Sequence, residues 1–225
     1  MFNKVIKPAG RFRLDNIEKL RKELYRNHDV VDLFDLKNNE NYRRTISSIA
    51  KTSLSTPKFS AFLHRLIEYL NVETVLETGT SLGINALYLA GPERVNKVVT
   101  IEASPIIASF ATEQFSKLLQ QKIEIKQGTI QEVFEQILVK LQPELCFMDA
   151  DHRSDAVDFC IESIMSHCAS IKCIVVHDIY WSKDMHQSWN RIVKDERFSL
   201  TVDIFQAGLI FPFIQMPKQH FTLHF

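Results

Sequence analysis

The sequence predicts an α/β protein in which a doubly wound, mainly parallel sheet is covered by helices on both faces. Beyond residue 71, five short apolar segments alternate with segments of helical character. These five segments are apolar almost throughout, which is typical of parallel strands buried on both faces. Two apolar segments near the C-terminus are separated only by residues 206–208, which predicts an antiparallel hairpin at one edge of the sheet, with Gly208 in its turn.

The N-terminal part, residues 1–56, is predicted to be a helical cap joined directly to the main domain, residues 57–225. An apolar stripe with helical spacing runs through residues 15–34 and comprises Ile17, Leu20, Leu24 and Val31. The main domain is expected to begin with a helix, because Ser55 or Thr56 can cap it and Pro57 suits the first helical position.

The five central strands are expected at 72–77, 97–102, 122–127, 144–149 and 172–177. The helix after the second strand is expected to begin at Ser104, followed by Pro105. Residues 219–225 are predicted to add one more strand. Because crossovers between parallel strands are right-handed, the carboxyl ends of the strands meet at one edge, where open α/β sheets bind their ligands.

Composition limits the classes of partner. Of 225 residues, 27 are Lys or Arg and 27 are Asp or Glu, so the formal net charge is zero and a long nucleic acid is not the expected partner. We expect no membrane-spanning segment and no secretory signal, and hence a cytoplasmic protein. The four cysteines form no C-x-x-C pair and mostly lie in apolar segments, so we expect reduced, buried thiols.

The loop after the first central strand reads ETGTSLG, residues 77–83. It is not the G-x-G-x-x-G fingerprint of dinucleotide sites, because Ser81 replaces the middle glycine and the outer glycines are one residue too close. Small residues nevertheless allow a ligand to approach the backbone. With Glu77 beside it, the loop suits a ligand that carries an ammonium and a carboxylate better than one with two phosphates.

Two further strand ends complete the ligand that the sequence predicts. Glu102 ends the second strand and can accept hydrogen bonds from both hydroxyls of a ribose. Residues 127–129 end the third strand and offer a place for an adenine edge. An amino acid, a ribose and an adenine are the three parts of S-adenosylmethionine.

Five motifs, ETGTSLG, VVTIEASP, KQGTI, FMDADH and VVHDIYW, resemble those of the class I S-adenosylmethionine-dependent methyltransferases. The likeness is nearest to the O-methyltransferase-like branch, which includes catechol and caffeoyl-CoA O-methyltransferases and bacterial relatives of unassigned substrate, and it covers residues 46–225. It implies a Rossmann-like, seven-stranded sheet whose last strand is antiparallel.

The resemblance also implies roles for individual residues. The cofactor site would comprise Glu77, Gly79, Thr80, Ser81 and Gly83 at the methionine end, Glu102 and Ala103 at the ribose, Gly128 and Thr129 near the adenine, and Asp149 beneath the transferring methyl group.

Metal-dependent relatives bind a divalent cation through an Asp after the fourth strand and an Asp-Asn pair after the fifth. Asp149 matches the first position, but the pair reads His177-Asp178. A divalent metal therefore stays open without being favoured, and His177 is better explained as a structural or substrate-contacting residue. His152 occupies the position of a Lys that is a base candidate in the same relatives, and Asp155 could orient it. We therefore predict His152 and Asp149 as the catalytic residues.

The function that these features predict is methyl transfer from S-adenosylmethionine to a small molecule, most simply at oxygen. Tyr180, Trp181 and Trp189 could line an acceptor pocket or could simply pack the next helix. Two alternatives remain open: a nucleotide-dependent oxidoreductase on the same sheet, and a module that binds S-adenosylmethionine without catalysis. A homodimer through the N-terminal helices is also open.

Overall fold

The computed structural model describes residues 2–6, 14–35 and 40–224. A π-helical segment at Phe2–Ile6 precedes eight α-helices among these residues: α1 (Asp15–Leu24), α2 (Ile46–Ser53), α3 (Pro57–Leu70), α4 (Ile84–Leu89), α5 (Pro105–Lys117), α6 (Ile130–Leu141), α7 (Ser154–His167) and α8 (Lys183–Lys194). The strands are β1 (Val30–Asp35), β2 (Glu40–Thr45), β3 (Thr74–Thr78), β4 (Lys97–Glu102), β5 (Ile123–Gln127), β6 (Leu145–Met148), β7 (Cys173–His177), β8 (Leu200–Asp203), β9 (Ala207–Phe211) and β10 (Gln219–Thr222).

The predicted doubly wound α/β fold is confirmed. The main sheet has the strand order β10-β8-β9-β7-β6-β3-β4-β5, and β9 is antiparallel to both of its neighbours, β7 and β8. All the other pairs in this sheet are parallel. The sheet therefore has eight strands where the resemblance implied seven. The eighth is β10, which the C-terminal apolar segment predicted, and it pairs parallel with β8 at the edge.

The central strands are apolar because both faces of the sheet are covered. One face packs on α6, α7 and α8 in a core that includes Phe134, Ile161 and Trp189. The other face packs on α3, whose Phe59, Phe62 and Leu66 are buried. As predicted, Thr56 caps α3 by accepting a hydrogen bond from the Phe59 amide at 3.2 Å. No helix within the described ranges combines the length and the apolar character needed to cross a bilayer.

The N-terminal segment is only partly helical. α1 ends at Leu24, and Val31 lies in strand β1, so the prediction of one helical stripe across residues 15–34 was wrong. β1 reads VVDLFD, in which β-branched and aromatic residues favour a strand over a helix. It forms an antiparallel hairpin with β2. Residues 1, 7–13 and 36–39 of this segment lie outside the described part, and the domain division at residue 56 stays a prediction.

Gly208 lies inside β9, not in a turn as the sequence suggested; the turn between β8 and β9 is formed by residues 204–206. A methyl group at position 208 would overlap the indole ring of Trp189. Trp189 is only 2% exposed, so it packs the core and does not line an acceptor pocket. Because residue 208 has no side chain, Trp189 of α8 packs directly against β9.

Replacing Gly208 by Ala should destabilise the protein by about 1–3 kcal/mol, because the added methyl overpacks the contact with Trp189. Urea unfolding would measure the loss. The same change in a Trp189→Ala background should cost much less, since the indole is gone. An equal cost in both backgrounds would show that the contact does not explain the glycine.

Candidate active site

The predicted site residues come together at the carboxyl edge of four adjacent strands, in the order β7, β6, β3 and β4. Glu77 lies near the end of β3, and Glu102 ends β4. Asp149 directly follows β6, and its amide donates to the Thr78 carbonyl of β3 at 3.1 Å. His177 ends β7. The parallel sheet therefore converts residues that are up to 100 positions apart in the chain into one cluster.

The loop from β3 to α4 is tightly wound. Gly79, Ser81 and Gly83 all have positive φ angles, of 88°, 48° and 82°. A Cβ atom on Gly79 would lie 2.6 Å from the backbone oxygen of Asp149, which is too close for any side chain. A Cβ atom on Gly83 would meet the ring of Phe115 at 2.6 Å. The first glycine thus brings the loop against the end of β6, and the second lets α5 pack behind it.

Glu77 is fully buried beneath this loop. Its Oε2 accepts a hydrogen bond from Thr100 Oγ1 at 2.6 Å, and the Thr100 hydroxyl also lies 2.7 Å from that of Thr80. Its Oε1 has no partner among the described residues. Burial raises the pKa of Glu77 well above its ordinary value, and the charges of Asp149 and Glu102 raise it further. An unpaired buried carboxyl oxygen of this kind is a place where a cationic or hydrogen-bonding ligand group would be stabilised.

Glu102 holds two backbone segments together. Its Oε2 accepts from the Ser81 amide at 3.0 Å, and its Oε1 accepts from the Ser104 amide at 2.9 Å. Burial raises the pKa of Glu102, although the amide hydrogen bonds, including one from Ala103, oppose the shift. Each carboxylate oxygen has two lone pairs, so further acceptor capacity remains at the position predicted for a ribose.

Gly128 and Thr129 lie at the same edge, at the end of β5. The Gly128 amide donates to the Glu102 carbonyl at 3.0 Å. Both the amide and the hydroxyl of Thr129 donate to Oε2 of Glu132, at 2.8 and 2.9 Å. Thr129 therefore begins α6 as part of a capping box, so neither its amide nor its hydroxyl proton is free for a ligand.

Asp149 and His177 contact each other directly. His177 Nδ1 lies 2.7 Å from Asp149 Oδ1, although its N–H is not aligned with that oxygen as in a well-formed hydrogen bond. Burial alone would lower the pKa of His177, but the contact with Asp149 and the charges of Asp149 and Asp178 raise it above its ordinary value. The other oxygen of Asp149, Oδ2, lies 3.4 Å from Asn85 Nδ2.

His152 lies at the outer side of this cluster. Its Nε2 is 3.8 Å from Asp178 Oδ2, and its ring centroid is 5.8 Å from that of Trp181. The sequence suggested Asp155 as its partner, but Asp155 instead lies 3.4 Å from Arg153. Asp178 is therefore the carboxylate beside His152, because the end of β7 approaches the β6–α7 loop in space.

The residues present do not fit a divalent metal site. Within the part of the chain that the structure describes, no three His, Cys, Asp or Glu side chains are arranged to hold a metal ion. Asp149 and His177, two of the three ligands considered from the sequence, contact each other directly, with Oδ1 and Nδ1 2.7 Å apart. We therefore derive no chemical step through a metal.

Exposed aromatic side chains follow β7 and β8, and one of them, Trp181, lies next to His152. Trp181 is 69% exposed and Phe205 is 71% exposed. The ring of Phe205 stacks on that of Tyr180, with centroids 5.4 Å apart. Buried Asp203 orders this pair, because its carboxylate accepts from the Tyr180 hydroxyl at 2.5 Å and from the Phe205 amide at 2.7 Å. The hydrogen bond to Asp203 raises the pKa of Tyr180 to about 12.

The sequence reasoning missed Phe205 and Asn85. Phe205 was assigned to a strand, but it has a φ angle of 71°, a conformation that aromatic residues rarely adopt. Its place in a short connection between two apolar segments was the available signal. Asn85 was hidden inside an otherwise apolar helical run, where a single polar residue two positions after Gly83 could have marked it as facing the site.

Comparison with known proteins finds similarity to methyltransferases. A family profile described as a methyltransferase domain matches residues 76–179, which run from β3 to the loop after β7. Among curated proteins, none matches the chain.

Solved structures share the fold at low sequence identity. An O-methyltransferase from Bacillus cereus, in complex with SAH, is 18% identical with a TM-score of 0.62, and the match covers 93% of each chain. The SAH-bound methyltransferase PaMTH1 from Podospora anserina is 14% identical with a TM-score of 0.61, over 90% of this chain and 97% of that one. The O-methyltransferase TomG from Streptomyces achromogenes, in complex with SAM, is 16% identical with a TM-score of 0.59, over 71% and 82%. These similarities show the fold.

The free energy of unfolding of Glu77→Gln, minus that of the native protein, should increase as pH rises. A carboxyl whose pKa is raised in the folded state favours folding at low pH, and that contribution is lost as pH rises above its ordinary value of 4.5 through the folded pKa. The neutral amide does not titrate. Urea unfolding of both proteins at pH 5 and pH 8 would measure the difference.

Glu132→Gln is the matched control for this experiment. The pKa of Glu132 is lowered by its hydrogen bonds from Thr129, so the substitution should cost stability above pH 4.5 and thus act in the opposite direction. A Glu77→Gln effect that is the same at both pH values would contradict the assignment of a raised pKa.

Proposed function

We propose that this chain, whose residues 76–179 carry a methyltransferase domain, transfers a methyl group from S-adenosylmethionine to an oxygen atom of a small molecule. The observation that carries the proposal is the convergence of Glu77, Glu102 and Asp149 at one sheet edge around a glycine loop. The O-methyltransferases of the same fold, crystallised with SAM or SAH, support it.

The residues present fit S-adenosylmethionine. The unpaired Oε1 of buried Glu77 suits the ammonium group at the amino-acid end of the molecule, and the positive-φ loop at residues 79–83 directly follows the strand that carries Glu77. Glu102 has acceptor capacity for the ribose hydroxyls, and Gly128 lies beside it for the adenine. When bound, S-adenosylmethionine supplies an electrophilic methyl group on a sulfonium centre.

The acidic groups favour positive charge near the methyl group. Asp149 lies between His177 and Asn85, with Oδ1 2.7 Å from His177 Nδ1 and Oδ2 3.4 Å from Asn85 Nδ2, so its carboxylate has a polar neighbour on each side. A carboxylate that is already in position stabilises a cation more effectively than water does, because water molecules must first reorganise around the charge. We assign Asp149 to the sulfonium side of the site.

His152 is the group that we assign as general base. A hydroxyl group that accepts the methyl must lose its proton when it is methylated. Because Nε2 of His152 faces Asp178, Nδ1 is the nitrogen that is left to take this proton. Asp178 would then stabilise the imidazolium, and it would also orient the ring, which is the role that the sequence suggested for Asp155.

Trp181, which is exposed beside His152, supports a small acceptor with apolar surface, and the exposed pair of Tyr180 and Phe205 adds further aromatic surface after β7 and β8. We further propose a cytoplasmic location, which the four free, buried cysteines support. The homodimer suggested by the sequence stays a prediction.

A nucleotide-dependent oxidoreductase on the same sheet is less well supported. Ser81 stands where a dinucleotide fingerprint has its middle glycine, and Glu77 beneath the loop would face the negative charge of a pyrophosphate. Titration with NADH and NADPH, followed by fluorescence, separates this alternative from the proposal.

S-adenosylhomocysteine should bind the protein saturably in isothermal titration calorimetry, and Glu102→Ala should weaken it about tenfold or more, because the variant removes an anionic acceptor of hydrogen bonds. Glu124→Ala is the control, since Glu124 lies on β5 and pairs with Lys97 and Lys126. If neither S-adenosylhomocysteine nor S-adenosylmethionine binds the native protein, the proposed function is wrong.

His152→Ala should lower methyl transfer about 100-fold or more, as expected for a lost general base, and leave S-adenosylhomocysteine affinity unchanged. Transfer of an isotopically labelled methyl group to a panel of phenols, catechols and carboxylic acids would measure it. His167→Ala, at the far end of α7, should have no effect. Full activity in His152→Ala would remove it as the base, and no activity of the native protein on any acceptor would favour a binding module.

A further inference from the structure

A chain of buried polar side chains runs from helix α1 to the proposed active site. Arg21 on α1 is 2% exposed and forms a salt bridge with Glu18, with Nε 3.0 Å from Oε1. The hydroxyl of buried Tyr88 also donates to Glu18 Oε1, at 2.8 Å. Burying an arginine is costly unless its donors are satisfied, so the partners of its other nitrogens indicate what it does.

The remaining donors of Arg21 lead towards Asn85. Nη1 donates to the Ser55 carbonyl at 2.5 Å, and Nη2 donates to Ser60 Oγ at 3.0 Å. Ser60, which is fully buried, donates its own proton to Asn85 Oδ1 at 2.8 Å. Asn85 Nδ2 in turn donates to Ser55 Oγ at 2.9 Å and approaches Asp149 Oδ2 at 3.4 Å.

The donor-only character of the Arg21 guanidinium sets the direction of the first of these hydrogen bonds. A guanidinium has donors only, so the Ser60 hydroxyl must accept from Arg21 and is left with its proton to give to Asn85. The structure gives that proton to the carbonyl oxygen of Asn85, which therefore points towards Ser60. The NH₂ group of Asn85 must then face the other way, towards Ser55 and Asp149.

Without Arg21 and Ser60, the Asn85 amide could turn over. Its oxygen could accept from the Ser55 hydroxyl, and Asp149 would then face a carbonyl oxygen instead of an NH₂ group. Repulsion between two oxygen atoms would displace the Asp149 carboxylate, which would keep only its contact with His177.

We propose that Arg21 is a positioning residue for the active site: acting through Ser60, it orients the Asn85 amide and thereby fixes the carboxylate of Asp149. The inference rests on the proposed function only in assigning Asp149 to the sulfonium side of the cofactor. It makes α1, which lies outside the matched methyltransferase domain, part of the catalytic apparatus.

The charge on S-adenosylmethionine provides a specific test. S-adenosylmethionine carries a sulfonium cation, whereas S-adenosylhomocysteine is neutral at sulfur. A correctly placed Asp149 favours the charged molecule, so the ratio of the two dissociation constants reports its position. A residue with a purely structural role would change stability, or both affinities together, and leave this ratio unaltered.

Ser60→Ala should shift the ratio of the two dissociation constants against S-adenosylmethionine by about fivefold, the worth of one hydrogen bond. Isothermal titration calorimetry with both ligands would measure it. Ser188→Ala is the matched control, because Ser188 is equally buried and donates to Asp158 at 2.9 Å outside the network, and its ratio should equal that of the native protein.

The double variant Glu18→Gln/Arg21→Met tests the same step if Ser60→Ala does not fold. It removes both charges together, so no unpaired ion is left buried, and it should shift the ratio in the same direction. A native ratio in a folded Ser60→Ala or double variant would overturn the inference while leaving the function intact. Failure of the native protein to bind either ligand would instead overturn the proposed function.

Discussion

The close approach of the β3–α4 loop to the end of β6 is the constraint on which the site depends. At Gly79 the backbone passes so near the Asp149 carbonyl that no side chain fits between them, and the positive φ angle there turns the chain away from the sheet. This contact brings Glu77 beneath the loop and Asp149 beside it. A side chain at position 79 would separate the two strand ends and disperse the cluster that they form.

The cluster is electrostatically unfavourable without a ligand. The charges of Asp149 and Glu102 both raise the pKa of Glu77, in addition to the effect of burial. Three carboxyl groups would not be gathered in this way for stability alone, because like charges and desolvation both act against folding. A cation brought by a ligand offsets both costs, and under the proposed function the ammonium and sulfonium groups of S-adenosylmethionine would supply this charge. Strain of this kind is typical of functional sites.

Much of the sheet could be predicted, because each of its buried strands is a short apolar run followed by small or acidic residues. The observed β3 to β7 lie within two residues of their predicted bounds. Local pattern failed where tertiary contacts decide the outcome. Val31 fits the spacing of a helical stripe, but the β-branched and aromatic residues around it favour a strand, and pairing with β2 stabilises that strand. From sequence, Trp189 could equally have lined a pocket. It lies in the core because its ring occupies the space that a side chain at position 208 would need.

The partners of the site residues were less predictable than the residues themselves. Asp178 replaces Asp155 beside His152 because two loops 26 residues apart in the chain converge in space, which no sequence spacing reveals. The same holds for Arg21, whose bonds to Ser55 and Ser60 span 34 and 39 residues. Ser55 also bonds to Asn85 across the boundary predicted at residue 56, so the two predicted parts share one polar network. Contacts across the fold thus connect α1 to the site, although the match to the methyltransferase profile begins only at residue 76.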